Sequence, residues 1–349
     1  MRTLTINNFD IEKIARSGQC FRMKQIAPNM YSVIHGEHYL EITVRDNGNY
    51  IFSCSPEELS SVWIDYFDLR NYGMNYYDRA EASIKNSGDP YLIKVYGYGA
   101  GLRILRQDLW EVMVSFMISQ NNNIPRIKKT IEALCERYGS RRECNGKYFY
   151  TFPIPEKLTN EQELREMGLG YRAPFVATMA AGVASGKIKL CYLKTLKGDY
   201  ATLHNYLMSI CGIGPKVANC IELFGLHIMN AFPVDVWMAR VIDREYGGKF
   251  PTERYRGVEG LIQQYMFFYE IEHKEGQNTD KRKRYHVKCP KCGRDLFVCK
   301  SMAQEMGMSD LGHGSCLNCH SFLHLEYNAG KDVMIAEFWD DFMKRREAE

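Results

Sequence analysis

No apolar run in these 349 residues approaches the ~20 needed to cross a bilayer. The opening Met-Arg-Thr-Leu-Thr-Ile-Asn-Asn-Phe contains no signal-peptide apolar segment either. These absences predict a protein that stays inside the cell. Its 12 cysteines are therefore expected as metal ligands or reduced core residues, not as a disulfide framework. Low-complexity tracts and repeats at solenoid periods are also lacking, which excludes array architectures. Net charge is only +3, too little for wholesale polyanion coating. It is unevenly spread, however. Residues 101–200 carry 16 Lys+Arg against 10 Asp+Glu, while 301–349 carry 4 against 9. A basic middle and an acidic tail point modestly to a polyanionic partner for the middle.

What is present is the composition of an ordinary globular chain, 45% hydrophobic and 25% charged. The length predicts two or three domains. Residues 1–56 read as strands (Thr3–Ile6, Met30–His35, Tyr39–Arg45, Tyr50–Cys54), rich in β-branched and aromatic residues between Gly, Asn and Asp turns. A helix around Pro56–Tyr66 closes this antiparallel sheet. From about residue 89 the pattern turns helical, with a buried helix Asp108–Ile118 and an amphipathic one at Pro125–Gly139.

The stretch Ile210-Cys-Gly-Ile-Gly-Pro-Lys-Val-Ala-Asn-Cys220 is the most informative. Gly212 and Gly214 flank Ile213 in a turn too tight for side chains, and Pro215 suits the first position of a helix ending near Gly225. A glycine hairpin before a helix points backbone N–H groups outward, as phosphate binding requires. Lys216 falls in the first helical turn, where dipole and partial burial would lower its pKa and free an amine. Taken alone it reads as a phosphate-contacting or solvated lysine. Asp235, after Phe232-Pro-Val, reads alone as the N-cap of a helix Val236–Tyr246. Both plain readings are compatible with chemistry at these positions.

Other stretches carry similar double readings. Ser17-Gly-Gln-Cys-Phe-Arg22 is a helix-to-strand turn, and Ser119-Gln-Asn-Asn-Asn-Ile-Pro-Arg126 is a capped turn before a helix. Gly168-Leu-Gly-Tyr-Arg-Ala173 presents a Tyr-Arg pair suited either to wedging a base stack or to packing in the core. Gln263 and Phe267 share a helix face and suit a base edge and its π-face, although such pairs more often pack.

Jointly, over residues 1–270, these motifs resemble the helix-hairpin-helix DNA glycosylases, in the branch that removes 8-oxoguanine. The resemblance implies an α+β protein: an N-terminal antiparallel sheet domain (1–88) and an all-α glycosylase domain (89–271). It implies Lys216 as nucleophile and Asp235 as its acidic partner. The Gly18 carbonyl, Gln263, Phe267 and Cys220 would then form the base pocket. Normal guanine presents N7 as an acceptor, whereas 8-oxoguanine carries a hydrogen there that Gly18 can accept. Asn121, Arg126, Tyr171 and Arg172 would read or fill the gap left in the duplex, with cytosine opposite the lesion, while Gly212 and Gly214 hold phosphate. A cation at the carbonyls of Met208, Ile210 and Ile213 is also implied, with no organic cofactor. Trp237 departs from the pattern, since eukaryotic members usually carry His there. The implied partner is double-stranded DNA containing 8-oxoguanine. A monomer is expected, with no membrane association, at the nucleoid or in the nucleus according to the cell. A sister glycosylase for another damaged base, or a non-catalytic DNA-binding module, are the other readings. The first lacks its iron–sulfur loop here, and the second leaves Lys216 and Asp235 unused.

The chain's last part is separate. Cys289-Pro-Lys-Cys292 and Cys316-Leu-Asn-Cys319 have zinc-ribbon spacing and predict one closed structural zinc site. A polar, basic linker (272–286, with Lys281-Arg-Lys-Arg284) precedes this ribbon domain (287–349). Residues from Lys331 onward, with Met334, Ile335, Phe338, Trp339 and Phe342, read as an amphipathic helix.

Overall fold

The computed structural model describes residues 2–70, 75–273, 283, 285–300, 312–316, 319 and 321–348. Of the basic run, Lys281, Arg282 and Arg284 lie outside the described residues. The chain is α+β and forms two compact units, residues 1–273 and 274–349. Among the described residues no helix is long and apolar enough to cross a membrane.

In the first unit, five strands form an antiparallel sheet: β1 (Arg2–Thr5), β2 (Met23–Ala27), β3 (Met30–His35), β4 (His38–Val44) and β5 (Asn49–Phe52). Their order is β1-β5-β4-β3-β2. The register sets Val33 opposite Leu40 and Ile42 opposite Phe52. Strand alternation sends these four side chains into the core, where Trp63, Tyr66 and Phe67 cover them. β2 was not expected from sequence, because after the buried Met23 its Lys24-Gln25 pair is polar and exposed on an edge.

The helices that follow share that core. Asp108 accepts from the Glu111 N–H and caps Leu109–Ser119, a helix buried at nearly every position. Asn123 caps Ile124–Tyr138, which buries Ile127, Ile131 and Leu134, each worth ~2 kcal/mol in transfer free energy. After the second comes a feature sequence periodicity did not announce, the hairpin β6 (Arg141–Cys144) and β7 (Lys147–Tyr150), turning through Asn145-Gly146 at positive φ. The helix Glu259–Glu272 runs through the unit with ten of its residues buried.

The second unit pairs β8 (Tyr285–Lys288) with β9 (Asp295–Val298). A second sheet orders β10 (Gly312–Ser315), β11 (Phe322–Asn328) and β12 (Val333–Phe338). Here the expected tail helix is corrected. Val333–Phe338 is a strand paired with β11, burying Met334 and exposing Ile335, and the helix starts only at Trp339. A short apolar run satisfies both periodicities, and edge pairing with β11 decides between them.

Candidate active site

Two successive helix N-termini open onto one cleft. The glycine hairpin leaves the helix Tyr200–Met208 at Ser209 and re-enters helix at Pro215, the N1 position of Pro215–Cys220. Gly212 has φ +86, and a Cβ there would lie 2.6 Å from Cγ of Phe175, so glycine is required twice over. Gly214 is different: its backbone is extended (φ −95) and a Cβ would meet nothing within 4 Å. The expectation that both glycines relieve crowding is thus corrected, because Gly214 faces open space. The N–H groups of Gly212 and Gly214 meet no acceptor among the described residues, which leaves them free to donate to an anion.

Lys216 follows one residue into that helix, half-buried, its Nζ 5.3 Å from the centre of the Phe116 ring. Asp235 is the N-cap of Val236–Tyr246, and its Oδ1 accepts from the Met238 N–H at 2.8 Å. Both side chains line one cleft together with Gly18, Phe21, Phe116, Ser119, Asn122, Cys220, Gln263 and Phe267. No ion pair within 4 Å joins Lys216 to Asp235. Burial pushes the Cys220 thiol pKa up, the adjacent Lys216 ammonium opposes this, and Asp235 adds to it.

The far wall is built around Gly18. Its φ of +75 would strain any L side chain, and an added Cβ would come within 3.3 Å of both Ile124 and Phe267. Two glutamines hold this turn. Gln264 Nε2 donates to the Ser17 carbonyl at 2.8 Å. Gln19 donates to Ser17 Oγ and to the Arg103 carbonyl and accepts from the Leu105 N–H. Neighbouring Gln263 is 4% exposed, and its Oε1 has no hydrogen-bond partner among the described residues. A buried amide oxygen left open onto a cleft costs roughly 1–3 kcal/mol until a donor arrives, which marks it as a contact for a ligand.

The loops at the mouth are tied together. Asn121 is exposed with φ +47. Arg126 is exposed, its Nη2 donating to the Gly168 carbonyl at 3.4 Å. Tyr171 donates its hydroxyl to the Gln120 carbonyl at 3.1 Å. Arg172, expected as an exposed partner of Tyr171, is instead 5% exposed, and its guanidinium donates to the carbonyls of Gln120, Asn121 and Leu169. Five fixed donors satisfy several buried carbonyls at once, so the arginine props the asparagine loop from beneath. Gln120 in turn donates from Nε2 to the Gly212 carbonyl at 3.0 Å. Sequence reading assigned no role to Gln120, Gln19 or Gln264. Glutamines adjoining named motif residues were the available signal. Of the carbonyls named for a cation, that of Ile210 accepts from the Ile213 N–H at 3.0 Å.

In the second unit the thiol groups of Cys289, Cys292, Cys316 and Cys319 all lie within 4.8 Å of one another. Cys289 and Cys319 are 3.6 Å apart at sulfur, and Cys292 and Cys316 are 3.7 Å apart. A tetrahedron of sulfurs around an ion at ~2.3 Å has edges of about 3.8 Å, so the donor set fits zinc and is far too open for disulfides. Nearby, His324 is stacked on Phe342 with ring centres 3.6 Å apart.

Known proteins resemble this arrangement. A family model described as the 8-oxoguanine DNA glycosylase N-terminal domain matches residues 2–113. One described as HhH-GPD superfamily base excision DNA repair protein matches residues 114–261. The crystal structure of the Clostridium acetobutylicum 8-oxoguanine glycosylase/lyase, in complex with double-stranded DNA containing cytosine opposite 8-oxoguanine, is 34% identical with a TM-score of 0.70. The match covers 77% of this chain and 94% of that one. The Saccharomyces cerevisiae N-glycosylase/DNA lyase is 39% identical over 158 residues, 42% of either chain. A probable N-glycosylase/DNA lyase of Methanothermobacter thermautotrophicus is 27% identical over 305 residues, 76% of this chain and 94% of that protein. Neither family match extends into the cysteine-bearing second unit. With a third of its residues identical across nearly the whole of a solved relative, the chain belongs to the 8-oxoguanine DNA glycosylases of the helix-hairpin-helix (HhH-GPD) superfamily, enzymes of base-excision DNA repair.

Proposed function

We propose that this enzyme excises 8-oxoguanine from duplex DNA through a covalent Lys216 intermediate and then cleaves the strand at the abasic site. The observation that carries the reading is one cleft lined by Lys216, Asp235, Gly18, Gln263 and Phe267. A glycosidic carbon inside the base stack is out of reach, so the nucleotide must be swung out into that cleft. The Gly18 carbonyl accepts the N7 hydrogen that only the lesion carries. Gln263 offers its amide to the base edge, and Phe267 its ring to the base face.

The neutral Lys216 amine attacks C1′ as the C1′–N9 bond breaks, and a proton passes to the departing base. Opening of the sugar then gives an imine. Loss of a C2′ proton expels the 3′ phosphate, and water finally hydrolyses the imine to free the lysine. Asp235, as a carboxylate in a partly dry site, stabilises the positive charge that develops on the sugar and then on the imine. The hairpin N–H groups around Gly212 and Gly214 hold the backbone phosphate. Asn121 and Arg126 are exposed at the mouth where an orphaned cytosine would lie, and Tyr171 would fill the gap beside it. A cation on the Met208, Ile210 and Ile213 carbonyls would reinforce the phosphate grip.

In the second unit Cys289, Cys292, Cys316 and Cys319 would hold zinc. Four thiolates leave no open coordination position, so the metal serves folding.

The test is borohydride trapping on an 8-oxoguanine:cytosine duplex. Wild-type protein is expected to cross-link and Lys216→Gln is not. Equal trapping by the variant would remove Lys216 as nucleophile. Duplexes with other lesions and other opposing bases, run alongside, test the substrate assignment.

A further inference from the structure

The second unit carries a surface that the excision chemistry leaves unused. β8 and β9 pair antiparallel, setting His286 opposite Phe297 and Lys288 opposite Asp295. Strand alternation sends Tyr285 and Val287 inward and turns these four side chains out. Phe297 is 67% exposed, the most of any large apolar side chain among the described residues. Its ring centre lies 5.4 Å from that of His286. At the end of the same hairpin the Cys289–Arg294 turn, closed by the Cys289 N–H donating to the Arg294 carbonyl, adds exposed Lys291 and Arg294. The one acidic group of the hairpin among the described residues, Asp295, is 2.7 Å from His286 and 3.8 Å from Lys288, so the surface stays cationic.

An exposed aromatic ring with apolar neighbours would suggest a protein partner, but interface cores are depleted of lysine. Here the neighbours are Lys288, Lys291, Arg294 and His286. The complementary partner must supply regularly spaced anions and flat π-faces together. A nucleic-acid strand with unpaired bases does so, whereas a duplex hides its base faces in the stack. We infer that the outer face of the β8–β9 hairpin binds single-stranded DNA, with Phe297 as a stacking platform and Lys288, Lys291 and Arg294 on the phosphates.

The test uses the full-length zinc-loaded protein and a fluorescent oligothymidine, read by anisotropy across a salt series, with a lesion duplex in parallel. Phe297→Ala should weaken single-strand binding by about tenfold, within the range for one lost base stack, while Phe297→Tyr restores it. The triple variant Lys288→Gln/Lys291→Gln/Arg294→Gln should flatten the slope of log K against log salt by about 2. Both variants should retain one zinc per chain and unchanged single-turnover excision. Unaltered single-strand affinity in Phe297→Ala, or equal weakening of duplex and single strand in the triple variant, would overturn the inference. Because the excision rate is read in the same variants, failure here is separable from failure of the Lys216 mechanism.

Discussion

Asp235 and Lys216 begin two successive helices and face the same cleft, yet no ion pair joins them. The helix dipole favours the carboxylate at its N-cap and disfavours an ammonium in the first turn, so the two positions are electrostatically opposite. Asp235→Asn keeps a good capping oxygen. It should leave thermal stability nearly unchanged while slowing single-turnover excision by about 10²–10³-fold, as losing a charge-stabilising group does. If Asn kept the wild-type rate, Asp235 would be a cap and nothing more.

Arg172 tests the propped loop. Its guanidinium serves the carbonyls of Gln120, Asn121 and Leu169 from a buried position. Truncation to alanine strands those acceptors and should cost ~2–4 kcal/mol in chemical denaturation. Lysine lacks the planar fork and should recover little of it. Full recovery by lysine would mean that charge, not geometry, holds the loop.

Glu111 gives the enzyme a pH-dependent stability. Burial pushes its carboxyl pKa up to about 7, with Arg22, 3.7 Å away at Nη1, pulling the other way. The folded state therefore keeps a proton that the unfolded chain has lost. Stability contributed below the unfolded pKa of ~4.3 disappears as pH rises through 7, by up to about 3 kcal/mol. Glu111→Gln should be more stable than wild type at pH 8 and lose that advantage by pH 5. Parallel denaturation profiles across that range would contradict this.

Metal removal should act on one unit. Chelation, or Cys289→Ser, is expected to release one zinc per chain and to melt the β8–β9 and β10–β12 sheets, as amide hydrogen exchange would register. The compact unit of residues 1–273 should keep its protection and its excision rate. Loss of excision together with the metal would make the ribbon part of the enzyme's core machinery.

Much of the fold was written in local patterns. β3 falls on its expected residues, and Asp235, Asp108 and Asn123 cap helices where side-chain chemistry puts them. The cleft unites Lys216, Asp235, Gly18, Gln263, Phe267 and Cys220 from four separate stretches of the sequence. That union came from family likeness, because periodicity alone cannot bring a residue at 18 beside one at 267. What stayed hidden depended on tertiary context. Arg172 looks like a surface arginine until the loop it supports folds over it. Val333–Phe338 looks helical until a neighbouring strand offers it hydrogen bonds. Gly214 looks crowded because Gly212, two residues away, truly is.

Gln120 gives its carbonyl to Tyr171 and Arg172 and its side-chain amide to Gly212, so three segments meet at one residue. None of those segments can change length alone. A single inserted residue in any of them would displace the other two, which makes this corner intolerant of the insertions that surface loops usually accept.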